Sequence, residues 1–140
     1  MEFAFEIETL LKAVDGDFQP PLSSSVNLAE YARKLCSKAT IFSVHENGQL
    51  IALMAVYSND LVSKIAYGPM FAVAHSHRAC GLGTNLIKTT IDYLKKKGFK
   101  TFKLEVYKTN PRAITLYKRL RFVVVTETDK SVFVEINLSS

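Results

Sequence analysis

The segment Arg78–Thr84, whose sequence is RACGLGT, constrains the fold of this chain more than any other. It lies between an apolar stretch that predicts a strand ending near Val73 and a helical pattern from about Leu82 to Lys97. Glycines let the backbone approach a ligand closely, and the first amides of a helix lack an internal hydrogen-bond partner. These amides and the helix dipole favour an anion, so we expect a diphosphate at this turn.

The turn differs from the two common nucleotide-binding loops. GLGTN lacks the Lys-Ser/Thr pair of the P-loop, and Leu86 stands where a dinucleotide fingerprint has its third glycine. Taken alone, two glycines also fit an ordinary strand-to-helix turn. Cys80 lies ahead of a helix, where thiols can be reactive, but no His/Asp arrangement surrounds it and we expect a passive loop residue. With Cys36 as the other cysteine, the chain has neither a disulfide framework nor a metal set.

The order of strand and helix patterns predicts one α/β (α+β) domain over residues 1–140, with a mixed sheet between helices. The third strand contains Gly68-Pro69, which indicates either a simple irregularity or a bulge that opens the sheet beside a site. Helices are expected at 3–14, after an Asn27 cap, at 82–97 and after Asn110-Pro111, and strands at 40–45, 49–57, 63–73, 100–107, 123–127 and 132–138.

Charge is distributed unevenly along the chain. Residues 1–70 hold five Lys/Arg against eight Asp/Glu, a net −3, whereas residues 71–140 hold thirteen against five, a net +8. A basic half predicts an anionic ligand, but its charges are spread over several elements, which argues against a nucleic-acid partner. The chain has no apolar run long enough to cross a bilayer and no secretory signal pattern at its start, so we expect a cytoplasmic protein without a membrane partner.

A second segment extends the argument. Arg-x-x-Gly-x-Gly at 78–83, followed about thirty residues later by Asn-x-x-Ala-x-x-Leu-Tyr at 110–117, resembles the GNAT superfamily of acyl-CoA-dependent N-acyltransferases over about residues 63–127. The resemblance implies a mostly antiparallel sheet that is splayed between its two central strands. It also implies an N-acetyltransferase that uses acetyl-CoA, without a metal, to acetylate a primary amine. The alternative is a GNAT-like domain that binds an acyl-CoA without turnover.

The resemblance also implies which residues hold the cofactor. Amides of the turn would bind the diphosphate of coenzyme A, strand backbone would pair with the pantetheine arm, and an amide, that of Val73, would polarise the thioester carbonyl. The residues so assigned are Phe71, Ala72, Val73, Arg78, Ala79, Cys80, Gly81, Leu82, Gly83, Thr84, Asn110 and Ala113.

Two residues receive catalytic roles from the same resemblance. Tyr117 occupies the position of the acid that protonates the departing thiolate, although by itself it fits a core aromatic residue. Glu105 occupies the position of a base that removes the amine proton, although by itself it fits a solvent-facing strand carboxylate. His75, His77 and a water molecule remain alternatives for the base.

The acceptor side is implied to form from the first helices and their loop, 15–25. Phe18, Tyr67 and His75 are the expected substrate-binding residues, and the acidic residues Asp15, Asp17 and Asp60 suit a cationic amine. The acceptor is left open among a small molecule, an amino sugar and a protein N-terminus, and the oligomeric state between monomer and homodimer.

The chain departs from the family pattern at three places. Arg121 replaces a glycine that relieves a left-handed helix cap, at a cost of about 1 kcal/mol. The chain opens with a helical pattern, so the usual first strand is expected to be absent or very short. Ala79-Cys80 replaces a glycine and a basic residue, so backbone amides must supply the phosphate contacts there.

Overall fold

The computed structural model describes residues 2–78 and 80–139, and the side chain of Glu2 is not among the described parts. Ala79, an expected cofactor residue, therefore lies outside the described residues. The helices are α1 (Glu2–Val14), α2 (Leu28–Lys38), α3 (Leu82–Lys96) and α4 (Pro111–Arg119). The strands are β1 (Thr40–Glu46), β2 (Gln49–Tyr57), β3 (Ile65–Val73), β4 (Thr101–Tyr107), β5 (Val123–Glu127) and β6 (Ser131–Asn137).

The strands form one six-stranded sheet in the order β1-β2-β3-β4-β6-β5. Every neighbouring pair is antiparallel except β3 and β4, which are parallel. The mixed, mostly antiparallel sheet is thus confirmed. The described chain begins in α1, and its first strand is Thr40–Glu46, as the opening helical pattern predicts.

Two apolar clusters cover the two faces of the sheet. The side chains of β2 alternate between them: Leu53 and Ala55 pack with α1 and α2, whereas Met54 and Val56 pack with α3. Both faces of β2 are therefore buried, which its almost uninterrupted apolar sequence explains. In α3, Ile91 is half-buried, whereas the neighbouring Thr90 is fully buried.

Local sequence signals explain the element ends. The Asn27 side chain accepts the amide of Glu30 at 3.0 Å, and that of Asn110 accepts the amide of Ala113 at 3.2 Å, as N-cap residues do. Strand β3 begins at Ile65 rather than at residue 63, because Ser63 bonds Asp60 in the preceding turn and Lys64 has a left-handed φ of 61°. A short 3-10 turn, Leu22–Ser24, lies within the predicted loop.

The two central strands part halfway along their length. Strand β3 pairs with β4 only over Ile65–Gly68, opposite Thr101–Leu104. Its pairing with β2 also shifts register, because Gly68 and Pro69 of β3 together face the single residue Val56 of β2. A Cβ at Gly68 would lie 2.5 Å from Leu104 Cδ2 and 2.6 Å from Met54 Cε, so a larger residue where the strands separate would force these two side chains to move. The splayed sheet predicted from the resemblance is confirmed, and the irregularity begins at Gly68-Pro69.

Candidate active site

The larger cavity, about 370 Å³, is a groove between the glycine turn and α4. It is lined by Phe71, Ala72 and Val73 of β3, by Arg78 and Gly81–Thr84, by Thr109 and Asn110, and by Arg112, Ala113, Leu116 and Arg119 of α4, together with Val14, Asp17, Phe18 and His77. Of the described residues expected to hold the cofactor, all but Cys80 line this groove. Cys80 is exposed, and its thiol donates to the carbonyl of His77.

The glycine turn presents the start of α3 to this groove. Gly81 is the N-cap of α3 with a φ of 87°, and it supplies no side-chain cap to the first helical amides. Gly83 brings the helix close to β3, since a Cβ there would lie 2.8 Å from Phe71 Cζ. Uncapped amides at a helix N-terminus suit an anionic group such as a diphosphate.

The guanidinium group of Arg78 is engaged by two other residues of the protein. Its Nε donates to the carbonyl of Val73 at 3.0 Å, and its Nη2 pairs with Asp17. Asp17 also bonds His75 Nε2 at 2.9 Å. Burial raises the pKa of Asp17, but the hydrogen bonds and charges of Arg78 and His75 outweigh burial and keep this pKa below its ordinary value. The turn between α1 and α2 is thereby tied to the end of β3.

Sequence reasoning missed two arginines of the groove, Arg112 and Arg119. They lie seven residues apart in α4, and this spacing puts them on the same side of the helix as Leu116. That periodicity, beside an expected diphosphate site, was the signal that would have identified them. They bring positive charge to the groove, while Arg78 is engaged by Asp17.

The smaller cavity, about 140 Å³, opens where β3 and β4 part. Glu105, Tyr107 and Tyr117 line it together with Asn110, which also lines the groove. Its remaining walls are Asp17, Phe18, Leu22, Tyr67, Gly68, Pro69, Met70, Phe71, Leu104, Val106 and Ala113. The two expected catalytic residues and two of the expected acceptor residues, Phe18 and Tyr67, are thus brought together.

Tyr117 has an apolar environment. Its side chain is 4% exposed, and its ring lies 6.2 Å from the ring of Phe71 and 5.4 Å from that of Phe122. Burial raises the pKa of Tyr117 well above its ordinary value. The hydroxyl therefore stays protonated at neutral pH, as a proton donor must.

Glu105 is exposed on β4, where one hydroxyl group bonds its carboxylate. Its Oε2 accepts the Ser131 hydroxyl at 2.7 Å. Burial and the negative charge of Glu105 both raise the pKa of Tyr67, so Tyr67 stays protonated beside this carboxylate. Phe18 packs edge-on against Tyr107 at 6.1 Å and closes another side of the cavity.

The remaining candidates lie elsewhere. His75 bonds Asp17 and His77 bonds Glu46 at 2.8 Å, and neither histidine is among the described residues that line the smaller cavity. Asp15 accepts bonds from Ser23, and Asp60 accepts bonds from Ser63 within its own turn. Among the described residues, no group of His, Cys, Asp and Glu could hold a metal ion, and no helix is long and apolar enough to span a membrane.

A groove that ends at an uncapped helix N-terminus, beside a splayed mixed sheet, is the arrangement expected of an acyl-CoA-binding fold, and comparison with known proteins identifies the family. The sequence matches the acetyltransferase (GNAT) family over residues 7–122. The chain therefore belongs to the GNAT family, as the resemblance predicted.

Individual relatives agree with this assignment. The chain is 31% identical over 90 residues to the uncharacterised N-acetyltransferase YobR of Bacillus subtilis; the match covers 63% of this chain and 34% of YobR, so the chain spans about a third of that relative. Its fold is similar to the ribosomal-protein-S18-alanine N-acetyltransferase of Escherichia coli, with 26% identity, a TM-score of 0.72 and coverage of 94% and 90% of the two chains. It also resembles the PaiA N-acetyltransferase of Thermoplasma acidophilum, solved with coenzyme A, at 14% identity, a TM-score of 0.72 and coverage of 96% and 94%.

Proposed function

We propose that this chain is an N-acetyltransferase, formed by a single domain over residues 1–140, that transfers the acetyl group of acetyl-CoA to a primary amine. One observation carries the proposal: a carboxylate, Glu105, and a buried protonated hydroxyl, Tyr117, line one cavity that adjoins a groove ending at an uncapped helix N-terminus. Membership of the GNAT family supports the same activity.

In the proposed reaction, the diphosphate of acetyl-CoA binds the amides at the start of α3, with Arg112 and Arg119 nearby, and the pantetheine arm lies along the unpaired edge of β3. The thioester then reaches the gap between β3 and β4. The site's own groups hold the acyl donor and the amine in contact, which removes much of the entropic barrier.

Glu105 first takes the proton that the ammonium must lose, directly or through water, and later releases it to solvent. The neutral amine then attacks the thioester carbonyl carbon and forms the new C–N bond. The tetrahedral intermediate collapses, the C–S bond breaks, and Tyr117 gives its proton to the departing thiolate. The nitrogen loses its second proton, which restores the Tyr117 hydroxyl through water, and the products are the N-acetylated amine and coenzyme A.

For the acceptor, we propose a peptide N-terminus before an amino sugar or a polyamine. The relative that acts on an alanine of ribosomal protein S18 shares 26% identity over nearly the whole chain. The cavity itself adds a physical reason. Asp17 and Glu105 are the acidic residues among the described residues that line it, and Asp17 is paired with Arg78, so Glu105 is the carboxylate available to one ammonium group. Aromatic rings form much of the remaining cavity wall, which suits an acceptor whose other parts are uncharged better than one with a second cationic group.

A panel of amines tests the activity and its acceptor together. Thiol release from acetyl-CoA is followed with a hexapeptide beginning in alanine, benzylamine, glucosamine and spermidine. We expect the peptide to react fastest. If acetyl-CoA raises the melting temperature but no amine releases thiol at any pH, the protein is a binding domain without turnover and the proposal is wrong.

Glu105→Gln tests the assignment of the base. The variant keeps the shape of the side chain but cannot take a proton, so we expect kcat/KM to fall at neutral pH and the pH profile to move toward alkaline pH. A profile identical to that of the unchanged protein would return the role to His75, His77 or water.

A further inference from the structure

Thr90 and Ser131 are the buried polar side chains of the described residues, and their hydroxyls differ in what they contact. Thr90 donates to the carbonyl of Leu86 at 2.8 Å within its own helix, so its polar group is satisfied locally. Ser131 is 3% exposed, and its hydroxyl reaches from β6 to the Glu105 carboxylate on β4 at 2.7 Å. Only the Ser131 hydroxyl thus bonds a side chain of the active-site cavity.

The hairpin between β5 and β6 fixes the position of Ser131. Its amide donates to Thr128 Oγ1 at 3.0 Å, and its carbonyl accepts the amide of Thr128 at 2.8 Å. Ser131 also pairs in register with Tyr107, two residues beyond Glu105. The hydroxyl therefore approaches Glu105 from a buried residue that the hairpin holds in place, and it engages one carboxylate oxygen, Oε2.

We propose that Ser131 is a positioning residue, which orients the carboxylate of Glu105 toward the acceptor amine through the hydrogen bond that it donates to Oε2. The proposal rests on the proposed role of Glu105 as the base. A hydrogen bond donated to a carboxylate favours its charged form. It also restricts the long side chain to one geometry, and a base must be positioned before its basicity matters.

Other groups that face Glu105 act on the same equilibrium, so the effect of Ser131 must be measured as a difference. From β3, Tyr67 lines the same cavity, and the charge of Glu105 contributes to raising its pKa. From the loop after α1, Asp17 lines the same cavity. Side-chain alternation and the pairing register show which residues of β4 and β6 lie on the same face of the sheet as Glu105. They are Lys103, Tyr107, Ser131, Phe133 and Glu135.

A titration that needs no turnover tests the proposal directly. In protein labelled with ¹³C at the glutamate carboxyls, the Glu105 signal is assigned by its loss in Glu105→Gln. In Ser131→Ala we expect its titration midpoint to rise by about 0.5–1 pH unit, the size of one modest hydrogen bond. Ser131→Thr keeps the hydroxyl and should restore the midpoint. Thr90→Val removes a buried hydroxyl that does not touch Glu105 and should leave it unchanged.

Kinetic measurements then test whether the hydrogen bond between Ser131 and Glu105 affects the reaction. With acetyl-CoA and the fastest amine of the panel, Ser131→Ala should lower kcat/KM about three- to ten-fold on the acidic limb of the pH profile and little on the alkaline plateau. In a Glu105→Gln background the same substitution should have almost no further effect. Ser131→Cys, of similar size but with a weaker donor, gives an intermediate shift and serves if Ser131→Ala does not fold.

The outcomes separate the two proposals. An unchanged midpoint in Ser131→Ala, or an equal loss in the Glu105→Gln background, overturns the role of Ser131 even when Glu105→Gln is slow. A Glu105→Gln variant with an unchanged rate and pH profile overturns the base assignment, and the catalytic role of Ser131 falls with it.

Discussion

Helix α4, which carries Tyr117, ends in a backbone motif that strains one residue. The amide of Phe122 donates to the carbonyl of Tyr117 at 3.0 Å, and the amide of Arg121 donates to the carbonyl of Lys118 at 3.0 Å. These two bonds form a Schellman motif, and the contact between the rings of Tyr117 and Phe122 is its usual apolar partner. The motif requires a left-handed residue, and Arg121 adopts a φ of 80° there.

Replacing Arg121 with glycine should stabilise the protein. A left-handed conformation costs a residue with a Cβ about 1–2 kcal/mol, which glycine avoids. Glycine also makes the unfolded chain more flexible, which returns about 0.4–1 kcal/mol. Since Arg121 is exposed and its side chain adds little packing, the net gain should be about 0.5–1 kcal/mol. For a chain of this length that gain raises Tm by about 2–4 °C.

Urea and thermal unfolding of Arg121→Gly measure this gain at pH 7. Lys118→Gly is the matched control, since it removes a basic, exposed residue from the same helix at a right-handed position. That variant should lose about 0.5–1 kcal/mol, because glycine is a poor helix former. If Arg121→Gly loses stability as Lys118→Gly does, the left-handed cap stores no strain and the reasoning fails.

Three further predictions concern the site and its pH dependence. Tyr117→Phe should lower kcat about ten-fold at neutral pH with little change in acetyl-CoA affinity, and equal rates would reduce Tyr117 to a packing residue. Burial raises the pKa of Tyr31 and Tyr117 in the folded state, so the unfolded state loses these protons at a lower pH than the folded state does. The urea midpoint should therefore stay constant below about pH 10 and fall above it, and the fall should be less steep in Tyr117→Phe. The lowered pKa of Asp17 adds stability above its ordinary value of 3.8, and this is lost as pH falls through the lowered pKa. Asp17→Asn should therefore lose less stability than the unchanged protein between pH 7 and pH 3, and parallel losses would contradict a role for the Arg78 pair.

Features that depend on neighbouring residues were predictable from the sequence. Periodicity placed nearly every helix and strand to within a few residues, and the caps at Asn27 and Asn110 formed as their side chains required. The strain at Arg121 also followed from one position, because a glycine is expected where the helix must reverse. The two-segment spacing identified the family before any contact was known.

Features that depend on distant pairs were not predictable in the same way. Asp17 and Arg78 are sixty-one residues apart, and Glu105 and Ser131 are twenty-six apart. Spacing along one strand or helix says nothing about such partners, since they meet only when the sheet order and register are set. The sequence thus indicated which chemical groups were present in the site, while the fold decided which of them were already engaged.

The short seam between β3 and β4 has a consequence for the energetics of the whole molecule. The sheet consists of two three-stranded halves that share only four residue pairs, Ile65–Gly68 against Thr101–Leu104. A pantetheine arm in the gap would extend this pairing, so the co-substrate would connect and stabilise the two halves of the sheet as well as react. Ligand at a hundred times its Kd adds about 2.7 kcal/mol of stability. We therefore expect hydrogen exchange to slow most at the backbone amides beside the seam, in Met70–Val73 and Glu105–Tyr107, when coenzyme A binds.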